Sequence, residues 1–276
     1  PPSAMRGAFV RLGAVLLQRV KNYLDLNMQL QDILFSQGFG TRRVCSGLVQ
    51  HGLVEIYATD AAQSPVLCTE STAHFEPEGL RMRVQGVDWP YQAKAYVMLH
   101  KPVGTECSQK PSTYPSIYTL LPTPLRQRPT KSAVQGIQAV GRLDQDTTGL
   151  LLLSDDGQFI HRMSSPKKHV PKVYQVTAKH PVAANQIERL LAGVVLDDDP
   201  KPVRAAACVL QGEYQIDLTL TEGKYHQVKR MLAAVGNRVE SLHRARIGAL
   251  ELPADLAPGE WRWLTPEDLE KLRAVN

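Results

Sequence analysis

The spacing of apolar positions changes several times along the chain and predicts interleaved helices and strands. Leu30, Ile33 and Leu34 recur at helical spacing, and Gly38 ends this first helix. Residues 53–57 are predicted to form a strand. Further strands are predicted at 95–99, 173–178 and 214–221, and further helices at 158–163, 183–192 and 226–234. Hairpin-like turns between these elements argue against a simple doubly wound parallel sheet.

Breaks in the pattern predict the domain organisation. Residues 88–94 contain a proline, which restricts its own backbone and the preceding residue, so we expect a linker there. It separates a small module (residues 28–87) from a larger domain (residues 95–276). Within that domain, residues 102–136 hold six prolines and predict a loop with at most one short helix. Residues 1–27 are predicted to be an N-terminal extension or a leader left by cloning, with an apolar run too short for a signal peptide.

The string Gly-Arg-Leu-Asp-Gln-Asp-Thr-Thr-Gly-Leu-Leu-Leu-Leu at residues 141–153 is the strongest candidate for chemistry. Asp144 is predicted at the end of one apolar strand and just before a second apolar run. A catalytic carboxylate needs such rigid support. A plainer interpretation is a turn aspartate paired with Arg142. A two-carboxylate glycosidase is also conceivable, but the neighbouring aspartates look like turn and helix-capping residues.

Four sequence blocks, at residues 101–104, 141–153, 172–176 and 222–231, resemble those of RNA pseudouridine synthases in order and spacing. The resemblance implies an α+β catalytic domain with a mixed, mainly antiparallel sheet. It also implies a preceding S-four-like RNA-binding module, named after a small-subunit ribosomal protein. The expected activity is the isomerisation of uridine to pseudouridine in RNA. This redox-neutral reaction implies no cofactor and no metal.

The resemblance also implies a role for individual side chains. Asp144 acts as the nucleophile or general base, and whether it attacks ribose, attacks the base or only removes a proton is left open. Tyr174 stacks on the target uracil, which must leave its helical stack. Lys229 forms an ion pair with Asp144. Leu218 and Leu220 pack beneath the base.

The charge distribution predicts where RNA phosphates bind. The net charge is +5, and two basic clusters lie at residues 161–180 and 224–246. We expect them to flank one groove, although two solvated basic faces are the plainer interpretation. Residues 28–90 carry four cations against seven acids, an unusual balance for an RNA-binding module. The candidate RNA contacts are Arg142 (which fills the gap left by the flipped nucleotide or holds a phosphate), Arg42, Arg43, Lys167, Lys168, Arg230, Arg244 and Arg246.

The expected partner is ribosomal RNA or a ribosomal assembly intermediate. The branch of the family with an S-four-type module modifies ribosomal RNA, and residues 164–174, 242–248 and 255–261 are most similar to its small-subunit members. These members act on uridine 516 of 16S rRNA. A 23S rRNA uridine and a non-catalytic rRNA-binding assembly factor remain as alternatives. We expect a monomer that contacts no membrane, and the isolated cysteines favour the cytoplasm.

Overall fold

The structure, a computed structural model, describes residues 27–58, 64–131 and 133–273. These residues fall into two compact units. The N-terminal unit takes the described residues up to Ala93 together with Thr123–Gly136, and the C-terminal unit takes Lys94–Pro122 and the described residues from Ile137 onward. The predicted extension falls, apart from Asn27, outside the described residues. None of the helices in the described ranges is long and apolar enough to cross a membrane.

The N-terminal unit combines a four-stranded sheet, in the order β3–β2–β5–β6, with a short β1–β4 pair and three helices, all within the described residues. Leu30, Ile33 and Leu34 are fully buried on the first helix, as their spacing predicts. The elements are β1 (Met28–Gln29), α1 (Leu30–Gln37), α2 (Arg42–Gln50), β2 (Val54–Ile56), β3 (Val66–Leu67), β4 (His74–Phe75), β5 (Arg81–Val84), β6 (Val87–Pro90) and α3 (Thr123–Gln127).

The glycine turn between α1 and α2 forms as the sequence predicts. Gly38 ends α1 in the left-handed conformation (φ 94°), and the Thr41 hydroxyl accepts a hydrogen bond from the Val44 amide to cap α2. Val44 itself is 50% exposed, whereas Cys45 and Val49 are fully buried. This succession of helix, glycine turn, capped helix and strand is consistent with the S-four-like module that the resemblance implies.

The sequence-based linker overlaps a strand, because β6 includes residues 88–90 of the predicted 88–94. Trp89 is almost fully buried and packs edge-to-face against Phe39, with ring centroids 5.2 Å apart. Pro90 is tolerated because β6 lies at the edge of the sheet. Burial of the tryptophan thus extends regular structure past the predicted boundary at residue 87.

Residues 123–136 pack in the N-terminal unit, although the sequence placed them in the larger domain. The buried Arg128 guanidinium donates to Gln37 Oε1 (3.1 Å) and to the Gln92 carbonyl (2.8 Å). At Gly38, an added Cβ would lie 2.1 Å from the Pro124 carbonyl oxygen. These contacts explain the discontinuous unit. The proline-rich stretch also holds two short helical segments rather than one, α3 and a 3-10 turn at Ile117–Leu120.

The C-terminal unit is built on a nine-stranded sheet within the described residues. The main strand order is β13–β14–β10–β15–β9–β7–β17, with β16 beside β15 and β8 beside β9. Its elements are β7 (Tyr96–Lys101), β8 (Gln138–Ala139), β9 (Thr147–Ser154), α4 (Gly157–Ser164), β10 (Lys172–Ala178), α5 (Ala184–Ala192), β11 (Val194–Leu196), β12 (Asp199–Val203), β13 (Ala207–Gly212), β14 (Gln215–Leu220), α6 (Gln227–Ala234), β15 (Val239–Ile247), β16 (Leu250–Glu251), β17 (Trp261–Trp263) and α7 (Pro266–Arg273). The strands β11 and β12 pair separately.

Among the described strand pairings of this unit, β9–β15 is parallel and the others are antiparallel, which confirms the mixed, mainly antiparallel α+β fold. Gly149 lies opposite Arg244 in the parallel pair and has φ of 112°. A Cβ there would lie 2.2 Å from the Arg244 carbonyl oxygen. The glycine of the Thr-x-Gly sequence is thus required by the close approach of two central strands.

The leucine run of β9 is buried on both faces of the sheet. All four residues from Leu150 to Leu153 are fully buried. Leu150 and Leu152 pack with Phe159 and Met163 of α4 in one apolar cluster. Alternation along the strand directs the intervening leucines to the other face. The start of β9 is thereby fixed in the core, and the loop before it carries Asp144.

Candidate active site

Asp144 lies in the loop between β8 and β9, not at the end of a strand as predicted, because β8 ends at Ala139. The Thr147 amide donates to the Asp144 carbonyl (3.1 Å), which forms a tight turn before β9. Behind this turn, the buried Lys101 ammonium donates to the carbonyls of Pro102 (3.1 Å), Gln145 (3.4 Å) and Thr147 (2.9 Å). Burial lowers the pKa of Lys101. The loop is therefore held by a cation whose three protons all have acceptors.

Lys229 on α6 bridges two carboxylates of this loop. Its Nζ donates to Asp144 Oδ2 (3.0 Å) and to Asp146 Oδ1 (2.7 Å). Burial by itself lowers the pKa of Lys229, but the hydrogen bonds to Asp146 and Asp144 outweigh it and raise the pKa above its usual value. The ammonium therefore stays charged at neutral pH. The structure brings Asp144 and Lys229 together as the sequence predicts, and it adds Asp146 as a second acceptor.

His226 contacts the other oxygen of the Asp144 carboxylate. Its Nε2 lies 3.3 Å from Oδ1, so the two carboxylate oxygens have different nitrogen neighbours. His226 precedes α6 in the left-handed conformation, with φ of 49°. The ring of Tyr225 stacks on the imidazole with centroids 3.8 Å apart. The first turn of α6 and the residues before it thus supply both partners of Asp144.

Tyr174 lies on β10, opposite Leu218 of β14 and Arg244 of β15. A β-bulge interrupts the pairing with β15 between Val173 and Tyr174, and bulges re-aim side chains. Tyr174 and Leu220 line a cleft together with Asp144, and Leu218 is fully buried beside Tyr174 in the sheet. The predicted stacking ring and one of the two predicted leucines therefore line the cleft that contains the carboxylate.

Two neighbouring clefts open at Asp144. The inner cleft encloses about 490 Å³, including space open to solvent, and is lined by Asp144, Tyr174, Leu220, Lys224 and Lys229 among others. The outer cleft encloses about 930 Å³ by the same measure. Its lining includes Cys107, Tyr114, Asp146 and Tyr225. Both clefts share Arg142, Leu143, Asp144, His226 and Lys229, so they meet at the carboxylate.

One wall of the outer cleft is a loop organised by Glu106. Its carboxylate accepts hydrogen bonds from the backbone amides of Ser112 (3.0 Å), Thr113 (2.9 Å) and Tyr114 (2.9 Å). These amides, led by that of Tyr114, lower the pKa of Glu106 to about 2. The loop that carries Tyr114 is thus held in shape by an ionised carboxylate.

The candidate RNA contacts of the C-terminal unit differ in their surroundings. Arg142 is exposed and lines both clefts. Arg230 donates to the Tyr225 carbonyl and pairs with Asp198, so a phosphate would have to compete for it. Lys167 and Lys168 are exposed in a 3-10 turn before β10, and Arg246 is half-buried on β15. None of these last three is among the described residues that line the two clefts.

Arg244 requires a correction. The sequence suggested a contact with phosphate, but the residue is only 2% exposed and its Nε donates to the Leu150 carbonyl (2.8 Å). Its charge lies in the sheet, where it contributes with burial to lowering the pKa of Lys172 to about 8. Arg244 thus belongs to a basic cluster in the sequence but is buried in the structure, because side chains alternate between the two faces of β15 and this one points inward.

In the N-terminal unit, the two predicted arginines begin α2. Arg42 is exposed, pairs with Asp32 (2.6 Å) and lies over the ring of Phe35. Arg43 is exposed. Both remain candidate RNA contacts, and Arg42 would have to exchange its carboxylate partner for a phosphate.

Sequence reasoning did not single out His226, Asp146 or Tyr225 as site residues. One signal was present, because His226 and Lys229 are three positions apart at the start of a predicted helix and such residues are neighbours on its surface. Asp146 was among the neighbouring aspartates interpreted from the sequence as turn and helix-capping residues. Its contact with Lys229 joins positions 83 residues apart in the chain.

Comparison with known proteins identifies the family of this chain. Residues 95–234 match the model of a family described as RNA pseudouridylate synthase. The chain belongs to this family. Enzymes of the family are isomerases, and the matched segment includes Asp144, Tyr174 and Lys229.

Two similar curated proteins carry the name ribosomal small subunit pseudouridine synthase A. The Haemophilus influenzae protein is 38% identical over 233 residues, which cover 84% of this chain and 94% of that protein. The Escherichia coli protein is 45% identical over 174 residues, which cover 63% of this chain and 72% of that protein. A solved pseudouridylate synthase structure is 34% identical, covers 89% of this chain and 99% of its own, and superposes with a TM-score of 0.59.

Proposed function

We propose that this protein isomerises a specific uridine of small-subunit ribosomal RNA to pseudouridine, with uridine 516 of 16S rRNA as its target. The observation that carries the proposal is the Asp144 carboxylate, held by Lys229 at the meeting point of two open clefts. The names of the similar proteins support the small-subunit substrate. The reaction breaks the bond between ribose C1′ and uracil N1 and joins C1′ to C5. C5 loses its proton and the freed N1 gains one, so no atom is gained or lost.

Each part of the site suits one step of this reaction. The target nucleotide leaves its stack, and the ring of Tyr174 compensates part of the lost stacking. Leu220 beside it provides an apolar wall. Lys229 holds the Asp144 carboxylate without blocking it, because the Asp144 side chain remains 30% exposed. Arg142, exposed at the junction of the clefts, occupies the space of the departed base or binds a neighbouring phosphate.

The decisive experiment uses Asp144→Asn, which keeps the shape of the side chain and removes its charge. Purified wild type should form pseudouridine at one position of 16S rRNA transcripts or small-subunit assembly intermediates, detected by carbodiimide treatment and sequencing. Asp144→Asn should lower turnover by at least about a thousandfold, in keeping with loss of a central catalytic group, while rRNA binding is retained.

The alternatives give different outcomes in the same experiment. Modification of 23S rRNA but not of 16S rRNA would show that the substrate is large-subunit rRNA. Binding without pseudouridine formation by the wild type would favour a non-catalytic assembly factor. An Asp144→Asn variant with a hundredth or more of normal turnover would contradict the role of this carboxylate.

A further inference from the structure

Tyr225 is an exposed aromatic ring with no role in the chemistry described above. It is 75% exposed, more than any other large apolar or aromatic side chain in the described residues. One face of its ring stacks on the imidazole of His226, with centroids 3.8 Å apart and ring planes 21° apart. The high exposure leaves the other face available to a planar partner.

The position of this ring relates it to the reacting uridine. His226 lies between Tyr225 and Asp144, with Nε2 3.3 Å from the Asp144 carboxylate. Tyr225 lines the outer cleft, whereas Tyr174 lines the inner cleft, and both clefts meet at Asp144. If the target nucleotide binds in the inner cleft, the nucleotide next to it in the strand can therefore reach the ring of Tyr225 in the outer cleft.

The charges in the outer cleft indicate which part of a nucleotide faces it. Its carboxylates are Glu106, Asp144 and Asp146, against the cations Arg142 and Lys229. Lys229 is already shared by two of these carboxylates. A phosphate placed there would meet an excess of negative charge, whereas an uncharged base would not. Stacking on an aromatic ring also tolerates any base, because every base has a π face.

We propose that the open face of Tyr225 is a subsite for a nucleobase next to the target uridine in the same RNA strand. This inference rests on the proposed function. The tyrosine backed by His226 holds the flanking base, and Arg142 at the junction of the clefts holds the backbone between the two nucleotides. The subsite therefore helps to position the strand and takes no part in bond making.

The test combines protein variants with RNA in which the nucleotide on either side of the target is abasic. For wild type, one of the two abasic RNAs should bind about tenfold more weakly or worse than intact RNA. Tyr225→Ala should weaken binding of intact RNA by a similar factor and should lose no further affinity on that abasic RNA. Tyr225→Phe should behave as wild type. Tyr214→Ala is the matched control, because Tyr214 is also exposed but lines neither cleft.

Steady-state kinetics separate positioning from chemistry. A stacking contact made equally in the bound and transition states raises KM and leaves kcat unchanged, so Tyr225→Ala should raise KM about tenfold. Two outcomes would overturn the subsite while leaving the proposed function intact. In the first, the loss of RNA affinity caused by Tyr225→Ala adds to the loss caused by each of the two abasic sites. In the second, Tyr225→Ala has the same RNA affinity and KM as wild type. A wild type that does not bind the RNA would overturn both.

Discussion

At the scale of single residues, the arrangement around Lys229 gives two neighbouring carboxylates different surroundings. Lys229 contacts Asp144 and Asp146 at similar distances. Asp144 lines both clefts and is also contacted by His226, whereas Asp146 lines the outer cleft. We therefore infer that Asp144 meets the target nucleotide in the proposed reaction and that Asp146 orients the ammonium.

This difference predicts an order of effects on turnover. Lys229→Met should lower kcat about a hundredfold or more, by analogy with the removal of one charge-stabilising donor from other enzyme sites. Lys229→Arg should retain most activity because it keeps the charge, and Asp146→Asn should cost less than about tenfold. Single-turnover measurements with saturating enzyme give these rates. A loss in Asp146→Asn as large as that in Lys229→Met would show that Asp146 is as important as the ion pair itself.

The sequence anticipates Asp144, Tyr174 and Lys229 because each belongs to a block with a fixed order and spacing. It does not anticipate the environment of Arg244, which looks like a surface cation in a basic stretch but is buried in β15. The difference lies in the strand register. One residue of slip exchanges the two faces of a strand, and nothing local in the stretch fixes that register.

Lys172 is a half-buried cation, and burial together with the charge of Arg244 lowers its pKa to about 8. Its pKa in the unfolded chain is about 10.4. Below pH 8 the ammonium is charged in both states and its burial destabilises the fold. Between pH 8 and about 10 the unfolded chain binds more protons, so this contribution to the free energy of unfolding rises by up to about 1.4 kcal/mol per pH unit.

Lys172→Met isolates that contribution. The variant should be more stable than wild type at pH 7, and its advantage should shrink as the pH rises from 8 to 10. The difference between the two proteins is needed because burial raises the pKa of the Cys45 and Cys208 thiols to about 11, and this lowers stability over the same range. Urea unfolding of both proteins at several pH values provides the measurement. An advantage that is constant from pH 7 to 10 would contradict a lowered pKa for Lys172.

At the scale of elements, periodicity predicts the longer helices and strands, and it misses what depends on distant contacts. The helices α1, α4, α5 and α6 lie where apolar spacing indicates. Two-residue strands have too few positions to show a period. Residues 123–136 are held in the N-terminal unit by contacts such as Arg128 with Gln37, which are 91 positions apart. No local pattern reports such a contact.

The close approach of β9 and β15 at Gly149 gives the element-scale prediction. Gly149→Ala should disrupt the β9–β15 pair and destabilise the protein by about 3 kcal/mol or more, since it combines backbone strain with a clash against a main-chain oxygen. Thermal unfolding and turnover should both be impaired. Gly157→Ala in α4 is the control, because a Cβ there meets nothing within 4 Å. Equal stability of the two variants would mean that the strands can move apart without cost.

At the scale of the whole molecule, the discontinuous N-terminal unit changes the charge balance drawn from the sequence. Residues 123–136 contain Arg126, Arg128 and Lys131 and no acid. They offset the acidic excess of residues 28–90, and they remove three cations from the unit that contains Asp144. RNA affinity of the C-terminal unit must therefore depend on where its cations lie more than on their overall excess.

The salt dependence of binding tests that conclusion. Each phosphate contact releases counterions, so the logarithm of affinity falls linearly with the logarithm of salt concentration. If Lys167 and Lys168 both contact phosphate, replacing them with glutamine should flatten the slope by up to about two units. Replacing Lys271 and Arg273 makes the same change in net charge at side chains that already pair with Glu267 and Glu270, and it should leave the slope unchanged.

The two double variants distinguish the effect of local phosphate contacts from the effect of the protein's net charge. Equal flattening by both double variants would mean that net charge governs binding. An unchanged slope in both would show that Lys167 and Lys168 form a solvated face. Flattening by the first pair alone would extend the RNA path beyond the clefts at Asp144 to the turn before β10, since neither lysine is among the residues that line those two clefts.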